Sequence, residues 1–164
     1  MQNKFTEIER KFLIDALPAD LPLKREYQVY QAYLSLDPEV RIRRIAKSGQ
    51  DIAFSLTIKS GHGLVREEVE FDISKAHFYA LAKMVEHSFI SKDYWVYQLP
   101  DGLELECSLV DKGTVSEFMY AEIEFPSVDV AEEFSALPIF KQEVTEDPSY
   151  RMKNYWEKTR LGGR

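Results

Sequence analysis

Apolar and charged residues alternate along most of this chain, and a period of two is the mark of a β-strand whose two faces meet different surroundings. Eight segments carry the pattern: 6–14, 26–36, 39–46, 51–59, 64–73, 90–99, 103–110 and 118–126. Turn-forming residues separate several of them, at Asp37-Pro38, Ser48-Gly49, Ser60 to Gly63, and Pro100-Asp101-Gly102. Three stretches break the rhythm. Ser74 can cap a helix from 75 to about 87, with Phe78, Leu81, Ala82 and Val85 at helical spacing. Asp129 can cap a short helix over 130–136 that buries Val130, Phe134 and Leu137. Asp147-Pro148 reads as a cap and first helical residue, opening a helix to about 158. Many short, mainly antiparallel strands with few helices predict a barrel-like all-β or α+β fold.

Composition narrows the functional classes. The 164 residues, 45% hydrophobic and without a linker or repeat, are expected to form one domain over 1–160 with a short tail at 161–164. The lone Cys107 precludes an intrachain disulfide and suits a reducing compartment. The polar start, Met1 to Glu7, is unlike a signal peptide, and no apolar run approaches a membrane span. A cytoplasmic protein with no membrane partner is therefore expected. A formal charge of −7 argues against nucleic acid as a partner, although a locally basic cavity is compatible with it.

The position of the charges is the informative part. Residues i and i+2 share a strand face, so alternating charges form ionic rows. Glu7, Glu9 and Lys11 make one row, opposite Ile8, Arg10 and Phe12; Arg41 and Arg43 make another. Lys59 follows Ser55 and Thr57, and Arg66, Glu68 and Glu70 lie opposite Val65, Val69 and Phe71. Glu104 with Glu106, and Glu122 with Glu124, complete the set. A single row of this kind most often faces water. If the faces turn inward together, burying them is costly unless the charges are paired, hydrated or metal-bound. A site for a polyanion and hard divalent cations would use them, with Arg and Lys on phosphate oxygens and Glu on metal. Alternation alone leaves the inward face open.

The motifs resemble a family. E-I-E-R-K-F-L, with Glu7, Glu9 and Lys11, is similar to the ExExK signature of the CYTH superfamily, the triphosphate tunnel metalloenzymes. V-R-I-R-R, L-T-I-K, R-E-E-V-E-F, L-E-L-E, A-E-I-E-F and E-V-T-E-D-P-S-Y follow in the family's order, so the resemblance runs from about Thr6 to Tyr150. It implies an eight-stranded closed antiparallel β-barrel, a tunnel that holds a triphosphate with Mg²⁺ or Mn²⁺. By resemblance, Lys11, Arg41, Arg43, Lys59 and Arg66 bind phosphate, with Lys11, Arg41 and Arg43 taken as catalytic. Glu7, Glu9, Glu122 and Glu124 are the implied metal carboxylates. Glu68, Glu70, Glu104 and Glu106 are implied to orient the basic residues and metal waters. Lys92 matches a further phosphate contact, whereas Tyr94 stands where the family carries an arginine. Asn154 comes two residues later than the family's tail pattern places it.

The implied activity is metal-dependent hydrolysis of tripolyphosphate or a nucleoside triphosphate. The tunnel motifs leave open a class IV-type adenylate cyclase, a thiamine triphosphatase and a non-catalytic polyphosphate-binding module. The partner is a small triphosphate-containing molecule, with a homodimer left open. His62, His77 and His87 have no metal-ligand spacing. Glu122 and Glu124 should repel each other without metal, so Gln at either position is expected to spare the fold. Six candidate cations face eight candidate glutamates, so a bound triphosphate needs divalent cations to offset its charge. Excess EDTA is accordingly expected to abolish turnover; undiminished turnover in EDTA would contradict this.

Overall fold

The computed structural model describes residues 5–162. Residues 1–4 of the expected domain and 163–164 of the expected tail lie outside the described residues. The strands are β1 (Thr6–Leu13), β2 (Leu23–Leu36), β3 (Glu39–Lys47), β4 (Gln50–Ser60), β5 (Val65–Asp72), β6 (Ile90–Gln98), β7 (Glu104–Val110), β8 (Phe118–Glu124) and the two-residue β9 (Gln142–Glu143). Their order is β5-β4-β3-β2-β6-β7-β8-β1, and β1 returns to β5 through Thr6↔Glu67, Glu7↔Arg66 and Ile8↔Val65. Eight antiparallel strands thus close into a barrel, which removes the sheet edges that would otherwise invite pairing with another chain. Beyond Ile8 the chain covers the remaining side of β1. The Glu9 N–H donates to the Leu64 carbonyl, that of Lys11 to the Thr145 hydroxyl, and β9 pairs with Phe12 and Leu13.

The alternation translates into an apolar outer surface and a charged lumen. One outer cluster joins Ile8, Ile14, Leu105, Ala121, Ile123 and Phe125. It is roofed by α2 (Val128–Glu133) and by the strap that runs from α2 to β9. A second gathers Ala32, Ile42, Phe78, Ile90 and Tyr155 beneath α1 (Lys75–Ala82) and α3 (Met152–Arg160).

The helices depart from expectation in their ends. Ser74 caps α1 through the His77 N–H, but the helix stops at Ala82 rather than near 87. Ser127, not Asp129, caps α2 by accepting from the Val130 N–H. The helix ends at Glu133 and Phe134 is extended, so Val130 shares no helical face with Phe134; Ala131 is buried instead and Val130 is 39% exposed. Phe134 and Leu137 still pack on the core. Asp147 does cap a turn, yet this is only a 3₁₀ turn over Pro148–Tyr150, and extended Arg151 separates it from α3. The break presents the Tyr150 carbonyl to Lys11 Nζ at 3.1 Å. α3 is then anchored by Arg160, whose two terminal nitrogens contact both Asp111 oxygens at 2.6 and 3.0 Å. Tyr155 donates to the same carboxylate.

Arg10 shows why an outward face need not be a solvated one. It lies under the strap, with Nε and Nη2 each 2.8 Å from the Glu143 carboxylate and Nη1 donating to the carbonyls of Ala131 and Phe134. Phe12 stacks on Phe140 beside it, ring centroids 4.0 Å apart. Arg10→Ala is therefore expected to lower unfolding free energy by roughly 1.5–3 kcal/mol, as for other hydrogen bonds to charged groups. Urea denaturation checks this, and an unchanged midpoint would remove Arg10 as the clamp on the strap.

Candidate active site in the barrel lumen

The charged strand faces converge on a cavity of about 280 Å³, walled on one side by Tyr150, Arg151 and Met152. The structure places Lys11, Arg41, Arg43, Lys59, Arg66 and Lys92 on its wall, together with Glu7, Glu9, Glu68, Glu70, Glu106, Glu122 and Glu124. Glu104 is the exception. It is not on this wall: it pairs with Lys24 and Arg25 on β2 and borders a separate pocket with Glu106 and Glu124.

Several wall residues were not singled out from the sequence. Glu39 is one, although its place two residues before Arg41 on the same face was a readable signal. Tyr120 and Arg151 are others, and Asp147 was expected only as a helix cap. Asp147 and Arg151 arrive through a tertiary contact that no strand period encodes. The wall carries seven basic and nine acidic side chains, a formal balance of −2.

These charges are held in cross-strand pairs. Lys59 Nζ lies 2.9 Å from both Glu7 oxygens and 2.6 Å from Glu68. Lys11 pairs with Glu122 at 2.8 Å, directly across β1 and β8. Arg66 pairs with Glu39 at 2.8 Å. Thr57, fully buried, accepts from Arg41 and donates to Glu70. The pairing is incomplete. Among the described residues, the Nε atoms of Arg41, Arg43 and Arg66 are buried without a hydrogen-bond partner. Arg43 Nη2 makes a long contact, 3.4 Å, to Gln31 Oε1.

The environment drives similar groups in opposite directions. Burial, then Glu122 and Glu7, raise the Glu9 carboxyl well above its usual range. Burial also opposes the Glu122 charge, but Lys11 and Lys92 outweigh it and hold that carboxyl down at about 2. Burial followed by Glu122 pushes Glu106 up to about 7. Burial, then Glu7 and Glu68, raise Glu124. The two lysines diverge as well. Burial works against charged Lys59, yet Glu7, Glu9 and Glu68 raise it overall. Burial, reinforced by Arg43, takes Lys92 well below the usual lysine range.

Comparison with known proteins fits this geometry. The chain is 36% identical to an inorganic triphosphatase of Nitrosomonas europaea over 152 residues, covering 90% of this chain and 95% of that protein. The chain belongs to the CYTH superfamily of triphosphate tunnel metalloenzymes. The crystal structure of the inorganic triphosphatase NE1496 superposes on this tunnel with a TM-score of 0.62 at 34% identity, over 91% of this chain and 93% of that one. The PH1819 protein of Pyrococcus horikoshii OT3 shares the fold at 18% identity, with a TM-score of 0.56 over 77% of this chain and 82% of that one. No protein-family model matches the chain. Among the described residues, no helix is long and apolar enough to cross a membrane.

A CYTH tunnel implies a metal, and the donor set can be tested against that. Glu7, Glu9, Glu122 and Glu124 are all-oxygen donors from the adjoining strands β1 and β8, with Glu9 directly opposite Glu124. Their mutual repulsion is what a hard divalent cation relieves. Among the described residues, no three Asp, Glu, His or Cys side chains are gathered closely enough to form a finished metal site. Lysines hold two of the four carboxylates, so metal binding would have to draw Glu7 from Lys59 and Glu122 from Lys11.

This pairing revises the expectation for the two β8 glutamates. Glu122→Gln leaves Lys11 buried beside a neutral amide, and the thermal midpoint should fall. Glu124→Gln removes a carboxyl whose charge burial already disfavours, and the midpoint should hold or rise. A depressed carboxyl contributes stability above its unfolded value of about 4.3 and loses it only as pH falls toward 2. The contrast is therefore complete at pH 7, and equal midpoints for the two variants there would contradict it.

Proposed function

We propose that this protein hydrolyses a triphosphate, inorganic tripolyphosphate or a nucleoside triphosphate, inside the CYTH tunnel with the help of a divalent metal. The observation that carries the reading is the trio of buried, unpartnered Nε–H groups on Arg41, Arg43 and Arg66. Each unpaired buried donor costs about 1–3 kcal/mol, and more when charged. An anion rich in oxygen acceptors offsets that cost at all three at once. The Nitrosomonas europaea relative, an inorganic triphosphatase, supports the same substrate class.

Lys11, Arg41, Arg43, Lys59 and Arg66 grip the phosphate oxygens in this reading, and Glu68 and Glu70 orient Lys59 and Arg41. Glu7, Glu9, Glu122 and Glu124 hold Mg²⁺ or Mn²⁺, which when bound supplies charge neutralisation and Lewis-acid polarisation of the phosphoryl group. Lys92 takes a different part. A lysine made less basic by burial and cationic neighbours is suited to accept a proton. Lys92 takes a proton from the attacking water as its oxygen bonds to the terminal phosphorus. The bridging P–O bond breaks, and its electron pair leaves with the diphosphate. Arg41 and Arg43 stabilise the charge that develops on the transferring group.

Incubation with tripolyphosphate or ATP in the presence of Mg²⁺ or Mn²⁺, followed by chromatography of the products, tests the reading. Orthophosphate release is expected; cyclic AMP, or no product from either substrate, would overturn it. Arg41→Ala and Arg43→Ala should each lose about 10–150-fold in kcat/KM, the equivalent of one sheltered charge-assisted contact. Neutral Lys92 is the active form, so kcat should climb as pH rises through its lowered pKa, and Lys92→Met should abolish that limb. A limb that survives in Lys92→Met would transfer the role to another group.

A further inference from the structure

Tyr120 is fully buried on β8, at the point where lysines from two different strands meet. Lys11 Nζ, from β1, lies 4.4 Å from the centre of its ring. Lys92 Nζ, from β6, lies 5.2 Å from the same centre and 2.5 Å from the phenol oxygen. Two amino groups of the same charge type are thus gathered around one side chain in a space that excludes most water.

Their other partners differ. Lys11 also has the Glu122 carboxylate and the Tyr150 carbonyl. Among the described residues, Lys92 forms no ion pair, and the Tyr120 hydroxyl is the hydrogen-bond partner of its Nζ. A four-carbon side chain with one contact at its tip is fixed in place by that contact. The ring acts separately on Lys11, because an aromatic face attracts a desolvated cation without adding a negative charge. A carboxylate at position 120 would hold Lys92 too, but it would lock the lysine in its charged form and repel a phosphate chain.

We propose that Tyr120 is a positioning residue for the reaction, its hydroxyl aiming Lys92 and its ring holding the Lys11 ammonium beside it. This rests on the function proposed above for Lys92. The two parts of the side chain then have separable effects. The hydroxyl governs the chemical step through Lys92, and the ring governs substrate binding through Lys11.

The test compares Tyr120→Phe, which keeps the ring, with Tyr120→Leu, which removes ring and hydroxyl together. Tripolyphosphate hydrolysis is measured with Mg²⁺, alongside thermal midpoints and the Lys92 ¹³Cε NMR signal. Tyr120→Phe should lower kcat by about 100-fold, the order expected when a reacting group is displaced by about 1 Å, with KM within about twofold of wild type. Tyr120→Leu should lower kcat at least as far and also raise KM. The Lys92 signal should move in Tyr120→Phe while that of Lys59 stays in place. Wild-type kcat in Tyr120→Phe, equal rises in KM for both variants, or an unmoved Lys92 signal would overturn the proposal. A wild-type protein that hydrolyses no triphosphate, yet whose Lys92 signal moves on Tyr120→Phe, would overturn the hydrolase reading and leave Tyr120 as the holder of Lys92.

Discussion

The architecture depends on ion pairing between strands inside a closed barrel. A lumen lined by charge is the most expensive interior a small domain can have, because each ion gives up several kcal/mol of hydration. The Lys59 pairs with Glu7 and Glu68, the Lys11–Glu122 pair and the Arg66–Glu39 pair offset much of that cost. They do so between strands, so the sheet register and the pairing enforce each other. A one-residue slip of β1 against β8 would turn Lys11 outward and leave Glu122 buried without it.

The remaining elements keep this lumen closed on the apolar side. The strap over Arg10 and Phe12 covers β1 where β5 no longer pairs with it, and α3, fixed by Arg160 to Asp111, backs the wall formed by Tyr150 to Met152. The functional groups therefore project from strands in an eight-membered barrel rather than from loops. Rigid placement of this kind favours catalysis by preorganised charge. The incomplete pairing has the same logic. The three unsatisfied arginine Nε–H groups lie in the region where an anion would complete the set.

The faces of the strands were legible because a period of two is local. Glu7, Glu9 and Lys11 lie on one face whatever the rest of the chain does, and six such rows in order match the superfamily. The partners of those charges were not legible, since Lys11 meets Glu122, and Lys59 meets Glu7, only through register and closure. Glu104 continues the row of Glu106 in sequence, yet Lys24 and Arg25 on β2 draw it away. Tyr120 shares the strand face of Glu122 and Glu124 in F-M-Y-A-E-I-E-F, but its two lysines come from β1 and β6 and were not legible. Helix ends were lost to competing caps, as Ser127 displaced Asp129 and Arg151 interrupted the final helix.

If the lumen is a triphosphate site with a net negative wall, the polyanion and the metal must enter as a pair, each relieving the other's repulsion. Calorimetric titration with a bis(methylene) analogue of tripolyphosphate, whose P–C–P bridges resist hydrolysis, measures this directly. The account predicts weak binding of the analogue alone, and binding at least tenfold tighter in saturating Mg²⁺, about 1.4 kcal/mol of coupling. Equal affinity with and without Mg²⁺ would contradict it.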